Sequence, residues 1–178
     1  MDSINRNQRE DTRENLRGDD AIARIRSTVK ATQTCFFCTK APVSDFGGAR
    51  PMTVQDVDDD GNLWFVSASD SRVNQEVAAN PAVKLFFQGS EHSDFMDLNG
   101  RATIITDRAK IEELWEPMMT VWFTGGKDDP RISVIRVAAE SGYYWDNKHG
   151  NVVAGIKMLI GAALGKTLDD SVQGRLTP

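Results

Sequence analysis

Two arginines, Arg50 and Arg72, bracket a stretch rich in hydroxyls and apolar residues. It runs Arg50-Pro51-Met52-Thr53-Val54-Gln55, then an Asp58-Asp59-Asp60-Gly61-Asn62 turn, then Leu63-Trp64-Phe65-Val66-Ser67, then Asp70-Ser71-Arg72. Arginine presents a rigid fork of donors that matches phosphate oxygens, and Ser67, Ser69 and Ser71 add shorter-range hydroxyl donors. Met52 and neighbouring aromatic side chains supply polarizable contact area for a flat ring. The pattern suits a planar molecule carrying a phosphate. It also reads as two surface arginines on hairpin ends, and spacing alone does not separate the two.

Other chemistry is sparse. Cys35 and Cys38 lie in Thr34-Cys35-Phe36-Phe37-Cys38-Thr39, which reads as a strand, so residues three apart face opposite sides. A zinc site would need further ligands, and His92 and His149 are the two histidines of the chain. Buried structural thiols are therefore expected, with no metal. The sequence carries no Gly-x-Ser-x-Gly elbow, no His-Glu-x-x-His and no Gly-x-Gly-x-x-Gly after a strand. No catalytic residue is assigned, and any hard chemistry would belong to a cofactor. The formal net charge of −5, with scattered basic residues and acidic Asp56, Asp58, Asp59 and Asp60, argues against nucleic acid. The absence of a disulfide framework, a signal peptide and a long apolar run points to a reducing cytoplasm.

The elements that must hold these residues are mostly strands. At 178 residues the chain is expected to form one domain over 21–165, with a polar arm over 1–20 and a loose tail over 166–178. Alternation and β-branched or aromatic runs predict strands over 34–39, 49–57, 62–68, 83–88, 96–106, 132–137 and 142–145. Asp60-Gly61-Asn62 predicts a hairpin turn between the second and third of them. Helices are predicted over 21–31, over 71–80 with a Ser71 cap and an Asn80-Pro81 stop, and over 107–119 with an Asp107 cap. A fourth, 152–164, contains Gly155, Gly161 and Gly165 and is too short for a bilayer, which needs about 20 apolar residues. It is expected to pack on the barrel or on a partner. Many short strands with interspersed helices predict a mostly β, α+β fold, a small antiparallel barrel with surrounding helices.

With these elements in place, the run Arg50 to Arg72, continued by Glu76-Val77-Ala78-Ala79-Asn80-Pro81-Ala82-Val83-Lys84-Leu85, resembles the FMN-binding split-barrel proteins related to pyridoxamine 5′-phosphate oxidase. It is most similar to their general stress protein branch. The resemblance implies a six-stranded antiparallel split barrel and a homodimer with FMN bound at the subunit interface. It implies that Arg50 opens the flavin-binding strand and that Pro51, Met52 and Thr53 line the ring. Val66 and Ser67 match the next strand's aromatic-Thr pair, and Arg72 matches the arginine of a Ser-Arg-Lys phosphate clamp. Trp145 would approach the flavin from the partner chain, and Trp122 with Phe123 would cover the ring from the other subunit.

Departures narrow the expectation. Val73 stands where the clamp has lysine, Gln55 where the substrate-phosphate lysine is expected, and Asn151 and Val153 where an Arg-x-His substrate pair would fall. Vitamin B6 oxidation is therefore not expected. An FMN-dependent oxidoreductase drawing on reduced nicotinamide, or a flavin carrier in stress response, is the leading expectation. The alternative is a non-catalytic module for haem or a deazaflavin.

Overall fold

The computed structural model describes residues 13–40, 48–90, 94–147 and 171–178. The strands are β1 (Leu16–Arg17), β2 (Thr34–Thr39), β3 (Ala49–Thr53), β4 (Asp56–Val57), β5 (Leu63–Ala68), β6 (Ala82–Gln88), β7 (Phe95–Ile105), β8 (Ile132–Asn147) and β9 (Ser171–Thr177). The helices are α1 (Asp19–Thr32), α2 (Arg72–Ala79) and α3 (Arg108–Leu114), followed by 3₁₀ turns at Pro117–Val121 and Gly126–Asp128. This is a mixed α+β fold dominated by strands, as expected. The expected count of six strands is not matched: among the described residues nine strands form one sheet in the order β1-β9-β8-β7-β6-β2-β3, with β5 pairing β8 and β4 pairing β5. Among the described residues the sheet does not close.

The opening follows from how one segment divides its hydrogen bonds. The sequence predicts a single strand over 49–57, yet β3 pairs with β2 while β4 pairs with β5. The change of partner falls between them. Val54 N–H donates to Gln33 O and Gln55 N–H donates to Trp64 O, each at 2.8 Å. Beyond Trp64, β5 keeps β8 as its ladder partner, and its other edge looks across a gap toward β3.

Local signals explain most elements. Ser71 caps α2 by accepting from Asn74 N–H, and Asp107 caps α3 by accepting from Lys110 N–H. The β4–β5 turn places Gly61 at φ +78, which glycine adopts without steric cost. Asp58 pins that turn by accepting from Asn62 and from Trp64 Nε1 at 2.9 Å. Burial pushes the Asp58 carboxyl up, but the donors from Asn62, Trp64 and Asp60 outweigh it and hold the carboxyl below its ordinary range. α3 ends at Leu114 rather than 119 because Pro117 drives Glu116 into an extended conformation, and the chain resumes as a 3₁₀ turn. The separate strands expected over 132–137 and 142–145 are one strand, β8. A register shift opposite Asn99 and Gly100 accommodates Glu140, the one intervening residue that β7 does not pair.

The interior collects Ile25, Phe37, Leu63, Phe65, Leu85, Leu98, Ile135 and Val137, with Phe37 and Phe65 edge-to-face at 5.2 Å. α1 closes one side of it with Ala21, Ile25 and Val29. A second apolar cluster, Trp64, Ile111, Leu114, Met119, Phe123, Ile132 and Val134, packs α3 and the first 3₁₀ turn on the opposite face of β5 and β8. Cys35 is buried and Cys38 half-buried, on opposite faces of β2 as the strand period requires. Burial, with the neighbouring Cys38 adding to it, pushes the Cys35 thiol up to about 12.

Within the expected loose tail, residues 171–177 form β9. β9 inserts between β1 and β8, parallel to the first and antiparallel to the second, because Val172 and Leu176 alternate into the core. The arm is likewise engaged from Arg13 onward, with Glu14 N–H donating to Gln173 O at 2.9 Å and Tyr144 Oη donating to Glu14 O at 2.9 Å. Polar side chains concealed this pairing, which rests on backbone bonds. Residues 1–12, the helix expected over 152–164, His92, His149, Asn151 and Val153 lie outside the described residues. Among the described residues no helix is long and apolar enough to cross a membrane.

Gly174 measures how tightly the arm and tail are packed. A Cβ there would sit 1.7 Å from Glu14 O, inside any allowed contact. Gly174→Ala is expected to lower stability by about 1–3 kcal/mol, the usual cost of overpacking, read as a reduced urea midpoint. An unchanged midpoint would mean that the arm does not lie on β9.

Candidate functional site

The gap between β3 and β5 is a cleft of about 530 Å³, within the range of about 300–1,000 Å³ typical of small-molecule sites. Pro51, Met52 and Thr53 of β3, with Gln55, form one wall. Val66, Ser67 and Ala68 of β5 form the floor, and Met119, Trp122, Phe123 and Arg131 form the other wall. Each wall has a local cause. Proline is tolerated in β3 because an edge strand need not donate from every position. The 3₁₀ turn that starts at Pro117 and the two residues after it bury Met119 and Phe123 and leave Trp122 66% exposed at the cleft.

The cleft therefore gathers Pro51, Met52, Thr53, Val66, Ser67 and Trp122 of the sequence-assigned residues. Trp122 and Phe123 line it within their own chain. Arg50, Arg72 and Trp145 are not brought to it. Arg50 forms an ion pair with Glu76, whose side chain is fully buried and also accepts from Thr39 Oγ1 at 2.7 Å. A buried carboxylate needs such partners, and Arg50 supplies the charge. Arg72 opens α2 and is exposed. Trp145 lines a second cleft of about 470 Å³, with Phe36, Phe86 and Pro51. Pro51 is shared by both clefts.

Behind the floor runs a buried polar circuit. Ser67 Oγ and Ser71 Oγ are 3.0 Å apart, Asn74 Nδ2 donates to Ser133 Oγ at 2.6 Å, and Ser133 Oγ donates to Ser67 O at 3.1 Å. Because the Asn74 amide nitrogen only donates, the Ser133 hydrogen is directed to the Ser67 carbonyl. Ser71 Oγ already accepts from Asn74 N–H at 3.3 Å, so the Ser67 hydroxyl sits in a fixed frame at the cleft floor.

The far wall carries a second fixed group. Arg131 Nε and Nη2 donate to the Asp129 carboxylate at 3.0 and 2.7 Å, and Arg131 N–H donates to it at 3.0 Å. These side-chain and backbone donors from Arg131, joined by Gly125 N–H, hold the Asp129 carboxyl well below the usual range against the opposing effect of burial. Both members of the pair are thus ionised at neutral pH. Arg131, Ser133 and Asn74 escape a motif search because each stands alone in the sequence. Ser133 interrupts an apolar strand run and Asn74 sits beside Val73 on the buried face of α2; such polar interruptions are the available signal.

Ser133→Ala removes the acceptor of the buried Asn74 amide. It is expected to cost about 1–3 kcal/mol in stability, the penalty for an orphaned buried donor, measured by thermal denaturation. A variant as stable as the parent would show that this circuit does not hold β5 to β8.

Comparisons with known proteins agree with this architecture. A protein from a Jannaschia species described as general stress protein 26 superposes with a TM-score of 0.75 at 23% identity, covering 89% of this chain and 99% of that one. The general stress FMN/FAD binding protein of Xanthomonas citri superposes with a TM-score of 0.56 at 29% identity, covering 65% and 80% of the two chains. Protein bli-3 of Neurospora crassa is 24% identical over 135 residues, which are 71% of this chain and 65% of that protein, just under two thirds of its length. The family model described as pyridoxamine 5′-phosphate oxidase like matches residues 20–169. With most of the chain matched, and with a strand pair opened into a ligand-sized cleft, this protein belongs to the pyridoxamine 5′-phosphate oxidase-like family.

Proposed function

We propose that the chain is a flavoprotein that binds FMN in the β3–β5 cleft and works as an oxidoreductase or flavin carrier linked to stress response. The observation that carries this reading is the composition of the cleft. Met52, Val66, Trp122 and Phe123 offer apolar and π surface for a flat ring, while Thr53, Gln55, Ser67 and Arg131 offer polar groups that orient it. Bound FMN would supply electron-transfer chemistry. Among the described residues the lining carries Arg131 as its ionisable side chain, so this chain's own part is to hold, orient and shield. Gln55 in the cleft, with no charge for a substrate phosphate, supports a role other than vitamin B6 oxidation.

The same reading includes a homodimer. Phe36, Phe86 and Trp145 are 59%, 44% and 43% exposed around the second cleft, a clustering of large apolar side chains that soluble proteins usually cover. Trp145 lies away from the β3–β5 cleft of its own chain, so the family arrangement, in which it approaches from the partner, calls for a second copy. Reduced nicotinamide is the proposed electron donor.

FMN added to the purified protein is expected to lose fluorescence with a saturable stoichiometry of about one per chain, and Trp122→Ala to weaken that binding by about tenfold, in line with the loss of one stacking partner. Quenching that never saturates would sink the flavin reading and favour a ligand such as haem or a deazaflavin. On light-scattering-coupled sizing the parent is expected at the dimer mass, and the Phe36→Asp, Phe86→Asp double variant at the monomer mass. A monomeric parent would remove the dimer.

A further inference from the structure

The positive charge of this cleft is not where the resemblance implies it. Neither Arg50, whose Nη2 pairs with buried Glu76, nor Arg72 lines it. Val73, at the clamp's lysine position, is 5% exposed and belongs to the interior. Arg131 instead lines the cleft beside Ser67, just ahead of β8, at a position with no counterpart among the sequence-assigned residues.

Its placement is built rather than incidental. Arg131 O accepts from Ser69 N–H at 2.7 Å, which ties its backbone to the 69–71 turn leading into α2. Asp129, 5% exposed, grips one edge of the guanidinium through Nε and Nη2. Nη1 lies outside that fork and makes no hydrogen bond among the described residues. A guanidinium oriented by a carboxylate loses little side-chain freedom when its remaining edge engages an anion. Asp129 and Asp70 offset part of the charge. The gain is then that of a charge-assisted hydrogen bond, not of an unopposed cation.

We propose that Arg131, oriented by Asp129, recognises a phosphate monoester at the polar end of the cleft, in the role that the arginine–lysine clamp fills in the family. The proposal rests on the flavin reading and names the cofactor's own phosphate as the anion. Ser67, framed by Ser71 and Ser133, is the hydroxyl that shares it. Val73 then ceases to be a loss: the charge has moved from the second residue of α2 to the residue before β8.

FMN and riboflavin, which differ by that phosphate, separate this role from general packing. Fluorescence-quenching titrations of both ligands into the parent, Arg131→Gln and Arg131→Lys chains supply the readout, with thermal melts confirming that each is folded. The parent is expected to prefer FMN, and Arg131→Gln to weaken FMN by about tenfold while leaving riboflavin unchanged. Arg131→Lys, which keeps the charge without the fork, is expected to retain more of the preference than Arg131→Gln. Equal weakening of both ligands, or an unchanged FMN preference, would overturn the Arg131 assignment while leaving flavin binding intact. A parent that binds neither ligand would overturn the flavin reading and this assignment together.

Discussion

The architecture depends on one divergence in backbone hydrogen bonding. Within two residues, Val54 and Gln55 donate in different directions, to Gln33 on the β2 side and to Trp64 on the β5 side. Each amide is satisfied, so neither pays the cost of an orphaned donor. The consequence is geometric: β3 and the outer half of β5 cannot pair with each other, and the space between them is the cleft. Unpaired strand edges normally invite further strands. Here Pro51 and the segment of Met119, Trp122 and Phe123 make the gap a receptacle instead.

Polar groups that looked interchangeable in the sequence separate into two kinds once burial is considered. Arg50 and Glu76 form a pair that fastens β3 to α2, and removing Arg50 would leave a buried carboxylate without its charge partner. Arg131 and Asp129 form a pair at the cleft, with the carboxylate buried and the guanidinium half in solvent. The first arrangement supports the wall. The second leaves hydrogen-bonding capacity facing whatever enters.

Legibility in the sequence followed how local the physics was. The Ser71 and Asp107 caps, the Asp60-Gly61 turn and the stop at Asn80-Pro81 are decided within a few residues, and each was readable. The strand identities of β2, β5, β6 and β7 were readable from alternation. β9 was not: Gln173, Arg175 and Thr177 point outward, and only Val172 and Leu176 signal a buried face. Its order comes from backbone pairing with β8 and β1, separated from it widely in sequence. The cleft was half legible. Pro51, Met52, Thr53, Val66, Ser67 and Trp122 do converge, whereas the pairing of Arg50 with Glu76 is not legible because that acid lies on another element. Arg131 was invisible for the converse reason, since its value arises from Asp129 and from the 69–71 turn.

The two clefts share Pro51, so they are neighbouring sections of one outer surface with different composition. The Phe36–Phe86–Trp145 section is largely apolar, and the β3–β5 section combines apolar walls with Ser67, Gln55 and Arg131. A crystal structure of the chain grown with FMN tests the central claim most directly, because it locates the ligand between these sections. A flat ring is expected in the β3–β5 cleft, against Met52, Val66 and Trp122. Ligand density confined to the Phe36–Trp145 section, or saturating FMN leaving both sections empty, would contradict it.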